Sequence, residues 1–219
     1  TSYEDGSVED KYYLKQTLWF YFKPNDNKKV FYDGGNSENP LKKRVINGKT
    51  YAFDENGVMV QGWDSDMMED PANKTSRNYF SEKSQDVGRM YKKEWIFAVP
   101  SESQEVDDHN QEIERWFYSI GNGDIVKNQV KKIDKQYYAF NKNGIMQKGL
   151  CIINRNTKEF VDAIDAEKTD GRDFIISRHY ISAVRETYQT EEYSLFDDKE
   201  NQIYYFCEDE AESNFGQRK

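Results

Sequence analysis

The side chains in this sequence best suited to contact a ligand are aromatic rings, because each ring offers a large, rigid apolar face. Four tryptophans are the strongest candidates. A packed core uses the same rings in the same way, so a ligand contact and a core position both remain open for each tryptophan. These residues are Trp19, Trp63, Trp95 and Trp116.

Metal binding finds little support in the residue types. The two histidines, His109 and His179, are far apart in sequence and lack the spacing of zinc ligands. Asp64 and Asp66 carry hard oxygens that calcium prefers, but the sequence lacks a twelve-residue loop with the required glycine and terminal glutamate. A solvated acidic loop is the favoured interpretation, and we expect no metal and no cofactor.

The two cysteines, Cys151 and Cys207, have two interpretations. A disulfide between them is compatible with a secreted protein, but spacing alone does not show one. The alternative is a pair of unpaired thiols at strand edges. As nucleophiles both are poor candidates, because strand-like and acidic surroundings disfavour the reactive thiolate. We therefore expect no enzymatic activity.

The clearest structural signal is an internal repeat. Residues 45–63 read VINGKTYAFDENGVMVQGW, and residues 132–150 read KIDKQYYAFNKNGIMQKGL. The segments align without a gap and share Tyr-Ala-Phe, then Asn-Gly, then a hydrophobic residue with Met, and then Gly. Repeated units stack and each shares its core with a neighbour. The repeat therefore predicts a protein built to present surface rather than an enclosed active site.

Each copy predicts a β-hairpin. In the first copy Lys49–Phe53 alternates like a strand, Asn56-Gly57 signals a tight turn, and Val58–Val60 returns. In the second copy the matching parts are residues 137–140, 143–144 and 145–146. Looser hairpins are predicted within residues 19–32, 79–90, 116–126 and 205–218. The chain thus consists of two super-repeats of three hairpins, at roughly 12–97 and 113–219.

Composition supports a thin β structure. The chain has 219 residues, with 16 tyrosines, 13 phenylalanines and 4 tryptophans but only five leucines. The composition therefore disfavours a leucine-rich helical core, whereas aromatic side chains favour pleated strands. The net charge of −9 disfavours nucleic acid, which is bound by lysine and arginine. No apolar run approaches the roughly 20 residues of a transmembrane segment.

The two clear copies resemble the cell-wall-binding repeats of Gram-positive surface proteins, of the choline-binding and glucan-binding type. In the first copy the matching residues are Tyr51, Phe53, Asn56, Gly57, Met59, Gly62 and Trp63. In the second copy they are Tyr137, Tyr138, Phe140, Asn143, Gly144, Met146 and Gly149. The second copy departs from the pattern, because Leu150 stands where the repeat has tryptophan.

The resemblance implies an all-β fold, an elongated β-solenoid of stacked hairpins displayed outside the cell. It also implies that aromatic side chains between hairpins bind the ligand. In choline-binding members the rings surround a quaternary ammonium by cation–π attraction, and in glucan-binding members they stack on sugars. The implied ligand surface comprises Trp19, Tyr21, Tyr51, Phe53, Met59, Trp63, Trp95, Trp116, Tyr118, Tyr138, Phe140 and Met146.

Three parts of the chain are predicted from these observations. Residues 1–98 form the first super-repeat, 99–114 a polar acidic connector, and 115–219 the second super-repeat with an insertion at 154–200. Residues 64–77 and 100–114 are interpreted as loops. Within the insertion, Phe174–Ile176 is interpreted as a strand, and Ile181–Tyr188 as either a strand or a short helix.

The predicted function is non-catalytic. We expect a secreted or wall-attached domain that anchors a larger protein to a cell-wall polymer, either choline-bearing teichoic acid or glucan. Weak sites would gain strength by multivalency. Two alternatives remain open: a spacer or protein-interaction array that contacts other surface proteins and binds no small ligand, and a fragment of a carbohydrate-active enzyme.

Overall fold

The computed structural model describes residues 11–15, 18–22, 42–54, 57–67, 77–164, 200–211 and 213–218. The chain divides into two compact units. Unit 1 contains Thr1–Glu114 and Ser119–Ile125, and unit 2 contains Arg115–Tyr118 and Val126–Lys219. In both units the described residues form short β-strands with very little helix. The predicted all-β hairpin class is confirmed, whereas the extension into an elongated solenoid stays a prediction.

Unit 1 is a series of two-stranded antiparallel ladders. Strands β1 and β2 pair with each other, as do β3 with β4 and β5 with β6. Its described elements are β1 (Lys11–Lys15), β2 (Leu18–Phe22), β3 (Lys42–Ile46), β4 (Lys49–Phe53), β5 (Gly62–Trp63), a 3-10 turn (Asp64–Met67), β6 (Tyr79–Phe80), β7 (Trp95–Ala98) and helix α1 (Val106–Asn110).

Unit 2 contains two three-stranded sheets. In one, β10 lies between β9 and β11, and in the other β12 lies between β13 and β14, all antiparallel. Its described strands are β8 (Arg115–Tyr118), β9 (Gln129–Ile133), β10 (Gln136–Phe140), β11 (Met146–Gln147), β12 (Gly149–Asn154), β13 (Phe160–Ile164) and β14 (Asn201–Phe206).

The two clear repeats contain one strand more than the sequence analysis recognised. Strand β3 precedes β4, and β9 precedes β10, each joined by a two-residue turn. Both turn residues have positive φ, at 49° and 76° for Asn47-Gly48 and at 46° and 73° for Asp134-Lys135. Such turns match the twist of a hairpin. The turn at Asn47-Gly48 was not predicted from the sequence.

The predicted return strands are present beyond these tight hairpins. Phe53 bridges to Met59, and Phe140 pairs with Met146. The turn before Met146 is a three-residue loop, because Asn141 N–H donates to the Ile145 carbonyl over 3.0 Å, and within it Gly144 N–H donates to the Asn141 carbonyl over 3.0 Å. Gly144 has a φ of 88°, whereas its neighbour Asn143 has no positive φ. Each repeat thus has three extended segments rather than two.

The third hairpin of each super-repeat is built in the same way, as the sequence predicted. Phe80 bridges to Met90 in unit 1, and Phe206 bridges to Arg218 in unit 2. Each return segment also bonds back to the clear repeat of its own unit. Matching backbone hydrogen bonds of 2.8 Å run from Met90 to Thr50 and from Arg218 to Tyr137.

Methionine and glycine join the clear repeat to the third hairpin. A Cβ atom added at Gly88 would overlap the side chain of Met59, and one added at Gly216 would overlap that of Met146. Both glycines have positive φ. The thioether fills the space that the missing side chain leaves, so each pair packs one hairpin against the next.

The remaining predictions concern the connector, segments outside the described residues, the two cysteines and membrane-spanning helices. Helix α1 lies within 100–114, so that segment is not the uniform loop that was predicted. The return strand expected before residue 32 and the elements proposed for 174–176 and 181–188 lie outside the described residues. Cys151 and Cys207 are both buried, and no disulfide joins them. No helix in the described ranges has the length and apolar character to cross a membrane.

Candidate functional site

Most of the predicted ligand residues whose side chains are described lie in the interior. Trp19 and Tyr21 lie on β2, where only the strand is described. Trp95, Tyr118 and Tyr138 are partly buried, and Trp116 is 36% exposed. The buried members are Tyr51, Phe53, Met59, Trp63, Phe140 and Met146.

The rings of the clear repeats pack against their own hairpins. Tyr51, Phe53 and Met59 form one buried cluster, with Ile46 and Val87 packed at its margin. These positions form core, in agreement with the core interpretation of the methionines. Contact between them and a ligand stays a prediction.

A surface pocket of about 280 Å³ brings Trp63 together with residues that the sequence analysis did not single out. Its aromatic walls are Trp63, Tyr79 and Phe97. Two acidic residues, Glu82 and Glu114, also line it. All of these residues belong to unit 1, and they come from β5, β6, β7 and the segments that follow β6 and α1.

The aromatic walls differ in exposure. Trp63 is 3% exposed and Tyr79 is 7% exposed, whereas Phe97 is 49% exposed. The rings of Trp63 and Tyr79 meet edge to face, with centroids 4.9 Å apart and planes at 65°. Trp63 Nε1–H donates to the Val99 carbonyl over 2.7 Å, so the indole is held in one orientation. Phe97 therefore offers the accessible ring, and the other two form a fixed wall.

Carboxylates give the pocket a negative character. The Tyr79 hydroxyl donates to Glu82 Oε2 over 2.5 Å, which holds this carboxylate beside the rings. Burial raises the pKa of Tyr79 well above its ordinary value, and the hydrogen bond and charge of Glu82 raise it further. Glu114 acts in the same direction. Tyr79 is thus a neutral hydrogen-bond donor, and the two glutamates are the charged groups.

A cation of the chain itself already covers the next ring beyond Tyr79. Tyr91 lies edge to face with Tyr79 at 5.4 Å, and the Arg89 guanidinium stands 4.9 Å from the Tyr91 centroid. Arg89 pairs there with two carboxylates. It contacts Glu94 through two hydrogen bonds of 2.7 and 3.0 Å and Asp86 through one of 2.6 Å. The pocket itself holds no such internal cation among its lining residues.

The segment expected to be a polar connector forms one side of the pocket. His109 Nδ1 lies 2.9 Å from the Pro100 carbonyl, and because a carbonyl only accepts, Nδ1 carries the proton. Ser101 and Gln104 are buried and bonded to each other, which fixes the turn before α1. The segment predicted as a polar connector thus contains a hydrogen-bonded turn and a short helix.

The sequence held a signal for one of the missed residues. Phe97 follows Trp95 by two positions in β7, so both point to the same face of the strand. Tyr79 belongs to the Tyr79-Phe80 pair, which was predicted to form part of a hairpin and not part of a ligand site. Glu82 and Glu114 carried no signal, because carboxylates are abundant throughout the chain.

The chemistry of this pocket is that of a cation site. Aromatic faces attract cations through the negative charge of their π systems, and nearby carboxylates add a charge of the same sign. Across the described residues no group of three or more His, Cys, Asp or Glu is placed to hold a metal ion. The buried thiol of Cys151 is unreactive by position, since burial raises its pKa, with Asp162 adding to the effect.

Comparisons with known proteins give structural matches only. No protein-family model matches the sequence, and a comparison with curated proteins finds no match. Among solved structures, the modular autolysin LytC from Streptococcus pneumoniae matches at 15% identity over 81% of this chain and 27% of that one, with a TM-score of 0.34. CbpJ from the same organism matches at 16% identity over 70% of this chain and 42% of that one, with a TM-score of 0.37.

Choline binding protein F from Streptococcus pneumoniae also matches, at 15% identity over 100% of this chain and 50% of that one, with a TM-score of 0.37. The chain resembles choline-binding proteins. It spans no more than half the length of these three proteins.

Proposed function

We propose that this chain is a non-catalytic domain that anchors a secreted or surface protein to a cell-wall polymer. The pocket lined by Trp63, Tyr79 and Phe97 binds a cationic group of that polymer, and the quaternary ammonium of choline has the matching chemistry. The observation that carries the proposal is the convergence of three rings and two glutamates on one pocket of unit 1.

Each part of the pocket has a role in this proposal. Phe97 supplies the accessible π face, because it is half exposed while its neighbours are buried. Glu82 and Glu114 supply the negative potential that favours a cation over a neutral group. A quaternary ammonium has no N–H to donate, so ring faces and carboxylate charge are the interactions open to it.

Titration with choline, followed by tryptophan fluorescence, tests the proposal. Trp63 lies in the pocket, so saturable changes at millimolar choline are expected. The neutral analogue 3,3-dimethylbutanol has the same shape without the charge and is expected to bind more weakly. Equal binding of the two compounds would contradict a cation site.

Substitutions at Phe97 separate ring chemistry from apolar contact. Phe97→Leu keeps an apolar side chain and removes the ring, and we expect choline to bind about 2- to 30-fold more weakly, which corresponds to about 0.5–2 kcal/mol for one cation–π contact. Phe97→Tyr keeps the ring and is expected to bind nearly normally. Unchanged affinity in Phe97→Leu would remove Phe97 from the site.

The charge contribution has a matched control in the same segment. Glu114→Gln is expected to weaken choline binding by up to about fivefold at low salt, the range of an exposed charge pair. Glu112→Gln removes the same charge from a side chain that lies two residues before Glu114 and does not line the pocket. Equal effects of the two substitutions would mean that only the net charge matters.

Retention on dextran and the response to choline distinguish two other functions. A glucan binder would stack sugar rings on Phe97 and would be retained on a dextran column without responding to choline. A spacer or protein-interaction array would do neither. Hydrolysis of a wall polymer by the purified chain would overturn the non-catalytic proposal.

A further inference from the structure

Unit 2 carries a second aromatic site of opposite charge. Tyr137 is 36% exposed near the start of β10, and its Cα partner across the hairpin is Lys132. The Lys132 ammonium lies 5.5 Å from the Tyr137 ring centroid. The Arg218 guanidinium lies 4.4 Å from the same ring and 4.9 Å from the ring of Tyr204. We call these four residues the Tyr137–Arg218 surface.

The backbone fixes Arg218 at this position. Its N–H donates to the Tyr137 carbonyl over 2.8 Å, and the residue bridges to Phe206 at the end of β14. The Tyr204 ring is also held, because its hydroxyl donates to Gln202 Oε1 over 2.6 Å. The guanidinium is therefore placed beside two tyrosine rings before any ligand arrives, which lowers the entropy cost of binding.

The cations of this surface have no acidic partner in the described part of the chain. Lys148 pairs with Glu210 in unit 2, and neither Arg218 nor Lys132 forms an ion pair with a described residue. The contrast is Arg89 in unit 1, which also stacks on a tyrosine but contacts Glu94 and Asp86. A guanidinium has five N–H donors, and those of Arg218 are not used on a carboxylate of the described residues.

We propose that the Tyr137–Arg218 surface binds a phosphate group. Arg218 presents a planar fork of donors that matches a phosphate oxygen pair, and the ring faces keep the guanidinium plane in place. Lys132 adds a second charge on the same face of the hairpin. Because the ring faces are already covered by cations, this surface does not take a quaternary ammonium as the pocket of unit 1 would.

This inference is independent of the proposed choline site, because it concerns different residues in a different unit. Free phosphate and the phosphodiester groups of a polymer share the same chemistry. Inorganic phosphate and dimethyl phosphate therefore serve as two separate probes, each titrated at constant ionic strength against chloride. Binding is followed by NMR through the Arg218 Nε–Hε signal and the tyrosine ring signals.

We expect a saturable shift of the Arg218 signal with at least one probe. Dimethyl phosphate binding would identify polymer phosphodiesters as the source, and binding of inorganic phosphate alone would identify free phosphate. Absence of a saturable shift with both probes would overturn the proposal.

Charge substitutions with a matched control give the second test. Lys132→Gln should weaken phosphate binding by about threefold or more, and Arg218→Gln by about tenfold or more, the scale of hydrogen bonds to charged groups. Lys131→Gln makes the same change on the same strand but at a position facing the other side of the sheet. It should leave binding unchanged. An effect of Lys131→Gln equal to that of Lys132→Gln would overturn the proposal, and Lys132→Gln keeps it testable if Arg218→Gln fails to fold.

Discussion

Substitution of Gly88 by alanine should destabilise unit 1 through two separable effects. Gly88 has a φ of 74°, and an added Cβ atom would overlap the Met59 side chain. The left-handed conformation alone costs alanine about 1–2 kcal/mol. Overpacking against Met59 adds about 1–3 kcal/mol. The expected loss in free energy of unfolding is therefore about 2–5 kcal/mol.

Gly48 provides the matched control. Its φ is 76°, but no atom lies within 4 Å of the position that a Cβ would occupy. Gly48→Ala should therefore show the backbone cost alone, about 1–2 kcal/mol. Urea denaturation followed by circular dichroism and tryptophan fluorescence measures both variants. If Gly88→Ala costs no more than Gly48→Ala, the packing of glycine against methionine does not join these hairpins.

A double-mutant cycle tests the contact itself. Met59→Ala should cost about 2–5 kcal/mol, because it leaves a cavity in a buried cluster. The new methyl of Gly88→Ala would partly fill that space. The double variant should therefore be more stable than the sum of the single effects predicts, by about 1–3 kcal/mol. Additive costs would refute the reasoning.

Two further predictions concern titratable groups. Burial and Glu82 raise the pKa of Tyr79, so the stabilisation is present below about pH 10, where the tyrosine of the unfolded chain is protonated, and is lost as the pH rises above it. The free energy of unfolding should fall between pH 9 and pH 11, and it should fall less in Tyr79→Phe than in the unaltered protein. An equal fall in both proteins would mean that Tyr79 is not the group that titrates. Cys151 and Cys207 are buried, so a thiol reagent such as DTNB should react with both only after denaturation. Rapid reaction of the native protein would show that unit 2 opens readily.

The hairpin class could be predicted because its signals are local. Alternating aromatic residues, Asn-Gly dipeptides and the recurring Met and Gly all lie within about twenty residues of one another, and turn conformation depends mainly on the residues of the turn. The same reasoning missed one turn in this repeat. The predicted turn before Val58 is present, because Gly57 N–H donates to the Asp54 carbonyl over 3.0 Å, whereas Asn47-Gly48, which joins β3 to β4, was not predicted as a turn.

The candidate site could be predicted only in part. Trp63 was named from the Gly-Trp ending of the repeat, and it does line the pocket. Phe97 and Glu114 come from segments more than thirty residues farther along the chain. No local pattern marks Glu114, and the spacing of Phe97 from Trp95 indicates only a shared strand face. The roles of both residues depend on the packing of separate segments around Trp63.

Short antiparallel ribbons, and the places where most of them lie, follow from the sequence, since strand alternation and turn chemistry act between near neighbours. The packing of separate segments settles which rings become core and which stay accessible. It also decided that carboxylates gather beside the rings of one unit, whereas lysine and arginine cover a tyrosine in the other. The physical reason is that burial and charge at a site are sums over groups distant in sequence, which folding alone brings together.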